Sequence, residues 1–213
     1  LHLSIRRQRQ MCIRDSMVMC AQFYIQFHKV KMDSAVMSVV SVAMCRELGA
    51  VLTALMVSGR VGAAMAAQLG TMKVTEQIDA LRTLATHPTD YLVAPRLLAT
   101  LIALPLLTAE AIALGMISGM IVAVYLLGLD PVFLWTNMVF YTWSEDVMMG
   151  LIKAFIFAGI IATVSCYKGM NCGQGAEGVG RATTQAVVTS SIIILVSNFF
   201  VTLILNKILI YSD

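Results

Sequence analysis

Charge is what this chain has least of. Only 13% of its 213 residues are Asp, Glu, Lys or Arg, against about 25% in a soluble globular chain, whose surface must face water. That deficit excludes a free cytosolic enzyme, an acidic binding module and a disordered segment. No G-x-x-x-x-G-K-[ST] string occurs, so the chain does not bind ATP through a P-loop. The three histidines (His2, His28, His87) are scattered, and Cys12, Cys20, Cys45, Cys166 and Cys172 show neither paired nor metal-ligand spacing. No metal site and no cofactor is expected. In apolar helices a free cysteine acts as a small hydrophobe, and that is how these five read.

What the chain has instead is apolar surface. Hydrophobic residues make up 59% of it and the mean hydropathy is +0.82. These are the marks of an all-α polytopic membrane protein. A spanning helix needs about 20 mostly apolar residues. Residues 35–57, 97–127, 147–166 and 186–205 each qualify. The second of these is over-long for a hydrocarbon core of about 30 Å. It is expected to tilt, to kink near Pro105 or to start in the interface.

Residues 17–27 are too short to span and read as the remnant of a truncated first span. Residues 1–16 (LHLSIRRQRQMCIRDS) are polar and basic, and lack the apolar stretch of about 7–15 residues and the cleavage site of a secretory signal. Met11–Ser16 matches the translation of a sequencing adapter, so 1–16 reads as an extraneous leader and 17–213 as the membrane domain. The formal charge of +3 lies wholly in that leader, which holds Arg6, Arg7, Arg9 and Arg14 against Asp15. The rest balances at 11 basic and 11 acidic residues, so no nucleic acid partner is implied.

Orientation follows from Lys and Arg in the short loops. Arg60, Lys73, Arg82 and Arg96 place residues 59–96 in the cytoplasm, as Lys168 and Arg181 do for 167–181. Residues 129–146 carry only Asp130, Glu145 and Asp146 and face outward, with Trp135, Tyr141 and Trp143 as interfacial anchors. His28, Lys29 and Lys31 fall on the outer side and disagree with this bias.

Within the cytoplasmic segment, Met65, Leu69 and Met72 recur at helical spacing, as do Ile78, Leu81 and Ala85. Thr75 is placed to cap a new helix with Glu76 and Asp79 in its first turn. Asp79 and Arg82 lie i,i+3, and His87-Pro88 ends the helix. The segment reads as an amphipathic helix, which either rests on the bilayer or docks a cytoplasmic partner.

Gly173, Gly175 and Gly178 form a G-x-G-x-x-G string. It follows a membrane helix rather than a strand and has no acidic residue about 20 positions on, so it is not a dinucleotide fingerprint. Four charges inside the spans stand out. Arg46 and Glu47 each cost about 2.5–3.5 kcal/mol on insertion scales. Being adjacent, they cannot face one another, so at least one meets a wet cavity or another helix. An interhelical ion pair is the plain alternative. Glu110 is either protonated or paired with Arg46 or Lys153. Lys153 lies near enough to the outer end of its helix to snorkel.

RELGAVLTALMVSGRVGAAMAAQLGTMKVTEQIDAL (46–81), GLIKAFIFAGIIATVSCYKG (150–169) and GVGRATTQAVVTSSIIIL (178–195) closely resemble the signature regions of MlaE-type permeases. The resemblance covers residues 17–213 and departs at Ala50, where that family usually has proline. It implies a homodimeric permease subunit of an ABC transporter in the bacterial inner membrane. Such a subunit moves phospholipid or another hydrophobic lipid between inner and outer membranes. Its implied partners are a cytoplasmic ATPase subunit and a periplasmic MCE-domain protein. Thr75, Glu76, Gln77, Ile78, Asp79 and Leu81 match the family's ATPase-coupling helix, and Arg46, Glu47 and Lys153 match polar positions near its lipid cavity. Glu110 matches no motif of the family. Two other readings remain at this point: a membrane scaffold that moves no lipid, and an ion-coupled transporter using Glu110 or Lys153.

Overall fold

A backbone polar group has no water partner inside a bilayer, so an apolar run satisfies its N–H and C=O groups within its own segment and forms a helix. The computed structural model describes residues 2–29, 31–32, 35–84 and 87–210, with side chains not described at 2–9, 11, 12, 209 and 210. Ala85 and the Cys12 side chain therefore lie outside the described residues. In chain order the helices are α1 (His2–Lys29), α2 (Val36–Ala43), α3 (Gly49–Val57), α4 (Ala63–Val74), α5 (Gln77–Thr83), α6 (Ala94–Tyr125), α7 (Pro131–Tyr141), α8 (Ser144–Met170) and α9 (Gly175–Ile210).

Among the described residues, four runs are long and apolar enough to cross a membrane: Val36–Val74, Thr89–Tyr125, Ser144–Met170 and Gly175–Ile208. Each overlaps one span read from the sequence. The first differs in kind from its expectation. It is one helical run of 39 residues, about 58 Å at 1.5 Å per residue. It joins α2, α3 and α4 through two π-type turns at Met44–Leu48 and Ser58–Gly62. Met65, Leu69 and Met72, expected in a cytoplasmic segment, therefore continue the spanning helix instead of starting a separate one. A third π turn, Thr89–Val93, leads into α6, which continues through Pro105. α1 is a single helix that runs unbroken across residues 16 and 17.

α7 has 11 residues, about 16 Å, and cannot span. Its start is well specified: Asp130 accepts a hydrogen bond from the Val132 N–H at 3.0 Å, with Pro131 at the first helical position.

The chain divides into two compact units. The first comprises residues 1–53 and 106–152. There α2 packs against α1 and α7, around a core of Cys20, Val36, Met37, Val40, Met44, Val122, Ala123, Leu134 and Met138. Ser16 is buried with it and shares a hydrogen bond with Ser118. The second unit comprises residues 54–105 and 153–213. Its main packing is α4 along α9, and Leu69, Ile78, Leu92 and Cys166 form a core there. Gly169 lets α8 lie against α4, because a Cβ at that position would come within 2.8 Å of the Leu69 Cβ and 2.9 Å of the Ala66 carbonyl oxygen.

Candidate functional site

The first polar group lies in the first unit, on the π turn Met44–Leu48. A π turn widens the helix by one residue and displaces side chains from their ordinary faces, a device frequent at functional sites. Here it carries Arg46 and Glu47. Small residues make room for it. At Gly150, α8 passes so close that a Cβ would overlap the Cys45 carbonyl oxygen, and a Cβ on Gly49 would lie 2.6 Å from Ile112 Cγ1.

Arg46 Nε donates to Asp146 Oδ1 across this packing. The two partners are unequally solvated: the Arg46 side chain is 46% exposed and that of Asp146 only 3%. The other oxygen, Asp146 Oδ2, accepts from the Trp143 N–H at 3.0 Å. This is the reach-back half of a capping box at the start of α8, where the helix dipole favours an acid. One buried carboxylate thus caps a helix and holds an intramembrane arginine. Its neighbour Glu145 is exposed.

The second polar group lies in the second unit. Lys153 on α8 is fully buried. Its Nζ donates to Thr202 Oγ1 on α9 at 2.7 Å, and Thr202 in turn donates to the Asn198 carbonyl at 2.7 Å. Snorkelling, the expected behaviour, is overturned, because the lysine stem runs inward against α9 rather than along a lipid-facing surface. Glu110 lies half-buried on α6 and Glu47 half-buried on the π turn.

The third group is the α4–α5 junction. Thr75 does not cap α5. Its hydroxyl donates backward to the Thr71 and Met72 carbonyls at 2.9 and 3.4 Å, ending α4. The residue before α5 is Glu76, held in the left-handed region at φ 60° with no side-chain capping bond, a conformation that costs a non-glycine residue energy. α5 has only seven residues, too short to hold by helix propensity alone. It is held by Ile78, 4% exposed in the core with Leu69, Leu92 and Cys166, and by the half-buried Leu81. Thr75, Glu76, Gln77, Asp79 and Arg82 are exposed, with Asp79 and Arg82 paired at 3.1 Å. Beside them Lys73, Glu76 and Asp79 line a cleft of about 500 Å³ whose far wall is residues 172–174. Lys73 Nζ spans it to the Cys172 carbonyl at 3.1 Å.

Of the six residues expected on the coupling helix, then, four face solvent, while Ile78 and Leu81 anchor the helix from behind. Asp146 was missed. From sequence it is one of two adjacent acids outside a span, and only its position three residues after Trp143 hinted at a cap. Cys20, Cys45, Cys166 and Cys172 are buried free thiols, and no metal-binding cluster occurs among the described residues.

Four runs apolar and long enough to cross a membrane, with a charged π turn held by a buried carboxylate, define a polytopic helical membrane protein. The model for the family described as Permease MlaE matches residues 11–204. A probable ABC transporter permease protein of Rickettsia typhi is 46% identical over 191 residues, which is 90% of this chain and 74% of that one. The intermembrane phospholipid transport system permease protein MlaE of Haemophilus influenzae is 35% identical over 190 residues, covering 89% and 73%. The chloroplastic protein TRIGALACTOSYLDIACYLGLYCEROL 1 of Arabidopsis thaliana is 38% identical, covering 86% of this chain and 52% of that one. The chain belongs to the MlaE permease family, and is a multi-pass inner-membrane permease subunit of the ABC-transporter type that transports rather than catalyses.

Proposed function

We propose that this permease moves phospholipid between the inner and outer membranes. It acts as a homodimer, with a cytoplasmic ATPase subunit supplying the energy and a periplasmic MCE-domain protein receiving or delivering the lipid. The substrate class is supported by the name of the Haemophilus relative. The geometric observation that carries the reading is the half-exposed Arg46 on its π turn, held by the buried Asp146. A charge kept accessible within an apolar run is expensive and marks a substrate path, and a guanidinium suits a phosphate headgroup. Glu47 and Lys153 are proposed to share in this polar lining.

α5 is proposed as the coupling element. Its exposed acids Glu76 and Asp79 give the ATPase something to hold, and Ile78 transmits the motion to the core. Nucleotide binding then shifts the population of permease states through a contact that differs between them.

The test is reconstitution of the permease with its ATPase and MCE partners in proteoliposomes. Charge reversal, Glu76→Lys, is expected to uncouple ATP hydrolysis from lipid transfer, and Arg46→Ala to lower transfer and co-purified lipid together. Transfer driven by a proton gradient without ATP would refute the reading, as would an assembled complex that moves no lipid.

A further inference from the structure

A second cleft, of about 480 Å³, shares residues 172–174 with the cleft beside α5 but has no residue of α5 in its lining. Gly173 and Gly178 of the glycine string form part of its wall. Gly175 adopts φ 74°, and Gly178 folds back on Gly173 so closely that a Cβ there would overlap the Gly173 carbonyl oxygen. The string that fails as a dinucleotide fingerprint therefore makes a tight turn at one edge of the cleft.

Lys168 and Arg181 line this cleft, with Glu177 as its one acid and Asn171, Gln174 and Gln185 as amide neighbours. Neither Lys168 nor Arg181 makes a hydrogen bond or ion pair with any described residue, whereas Arg46, Arg82 and Lys153 all do. Two cations without a partner among the described residues, against one carboxylate, leave the cleft with a net positive charge and eight unused cationic N–H donors. The surface beneath it is apolar. Arg181 and Gln185 continue along α9 as Val188, Ile192, Leu195 and Phe199, at alternating spacings of three and four that keep one helix face. All four of those apolar residues are more than half exposed. Tyr167, at the same level on α8, is 63% exposed, as suits an aromatic side chain at a membrane interface.

We propose that this cleft binds the phosphate of an anionic phospholipid from the cytoplasmic leaflet. Lys168 and Arg181 hold the headgroup, and the acyl chains lie along the exposed α9 face. A cation above an apolar face matches an anionic lipid at both ends. The site goes beyond the transport reading, because it needs only the membrane placement of α8 and α9 and no turnover.

The full chain is to be placed in phosphatidylcholine nanodiscs and probed with spin-labelled phosphatidylglycerol against spin-labelled phosphatidylcholine. Each surface cation contributes about fivefold to anionic-lipid association. The preference for phosphatidylglycerol should therefore fall at least about fivefold in Lys168→Gln/Arg181→Gln and persist in Lys168→Arg/Arg181→Lys. It should rise in Glu177→Gln, a gain that misfolding cannot imitate. An unchanged preference in the double variant would overturn the proposal, and so would an equal fall in the distant Lys207→Gln. Displacement of the labelled lipid by millimolar inorganic phosphate would assign the cleft to a free anion. Loss of ATPase-subunit binding in the double variant, with lipid preference intact, would assign the two cations to a protein contact instead.

Discussion

Removing either partner of the Arg46–Asp146 pair should destabilise the protein, but by unequal amounts, and the inequality follows from their exposure. Arg46→Ala leaves a carboxylate that is 3% exposed without its counter-charge. Breaking a fully buried pair this way costs about 3–5 kcal/mol. Asp146 keeps the Trp143 N–H as a second partner, so about 2–3 kcal/mol is expected, in the range for a lost hydrogen bond to a charged group with some desolvation penalty remaining. Asp146→Asn leaves the arginine instead, and its side chain is 46% exposed and can turn toward water. An asparagine oxygen can still accept from Trp143, so only about 1 kcal/mol should be lost, near the upper end for exposed ion pairs. The Arg46→Ala/Asp146→Asn double variant should cost less than the sum, with a coupling of about 1–2 kcal/mol. The buried free thiols of Cys20, Cys45, Cys166 and Cys172 provide the assay, because a thiol-reactive fluorophore reports unfolding in detergent as they become accessible. If Asp146→Asn proved as costly as Arg46→Ala, or the two effects were additive, the pair would not carry the role assigned to it.

Other expectations follow from close approaches and from the α4–α5 junction. Gly150→Ala should cost about 1–3 kcal/mol, because its Cβ meets the backbone carbonyl of Cys45 and no side chain there can yield. Gly159→Ala, with nothing within 4 Å of its Cβ, should be neutral or stabilise by about 0.5–1 kcal/mol; the same thiol assay ranks the two. Glu76→Gly should stabilise the purified permease by up to about 1 kcal/mol by relieving the left-handed backbone, while Glu76→Ala should not. Equal thermal midpoints for the two would show that the strain is absent. Ile78→Ala should detach α5 at a cost of about 2–4 kcal/mol, visible as faster amide exchange over residues 77–83 and as lower ATP-driven lipid transfer despite intact Glu76 and Asp79.

The spans were legible in the sequence because hydrophobic length is a local property. Any run of about 20 apolar residues declares itself without reference to the rest of the chain. The segment around α5 was legible in part. Ile78 and Leu81 carried a helical spacing that proved to be the buried face of α5, and the Asp79–Arg82 pair formed as its i,i+3 spacing suggested. Thr75 was misread because a threonine hydroxyl can bond forward to a new helix or back to the old one. Only the folded junction, with Thr71 four residues behind, selects the second.

The sequence by itself determined that this protein is helical and membrane-embedded, and through three long motifs it indicated the family. These are matters of composition, period and order along the chain. The tertiary structure alone decided which charges meet. Arg46 finds Asp146 one hundred positions away, and Lys153 turns inward to Thr202. Lys168 and Arg181 line one cleft and have no ion-pair partner among the described residues. The cause in each case is packing: an intramembrane charge takes whichever partner the neighbouring helix brings within reach. Glycines such as Gly150, which let the backbones approach, set where that is.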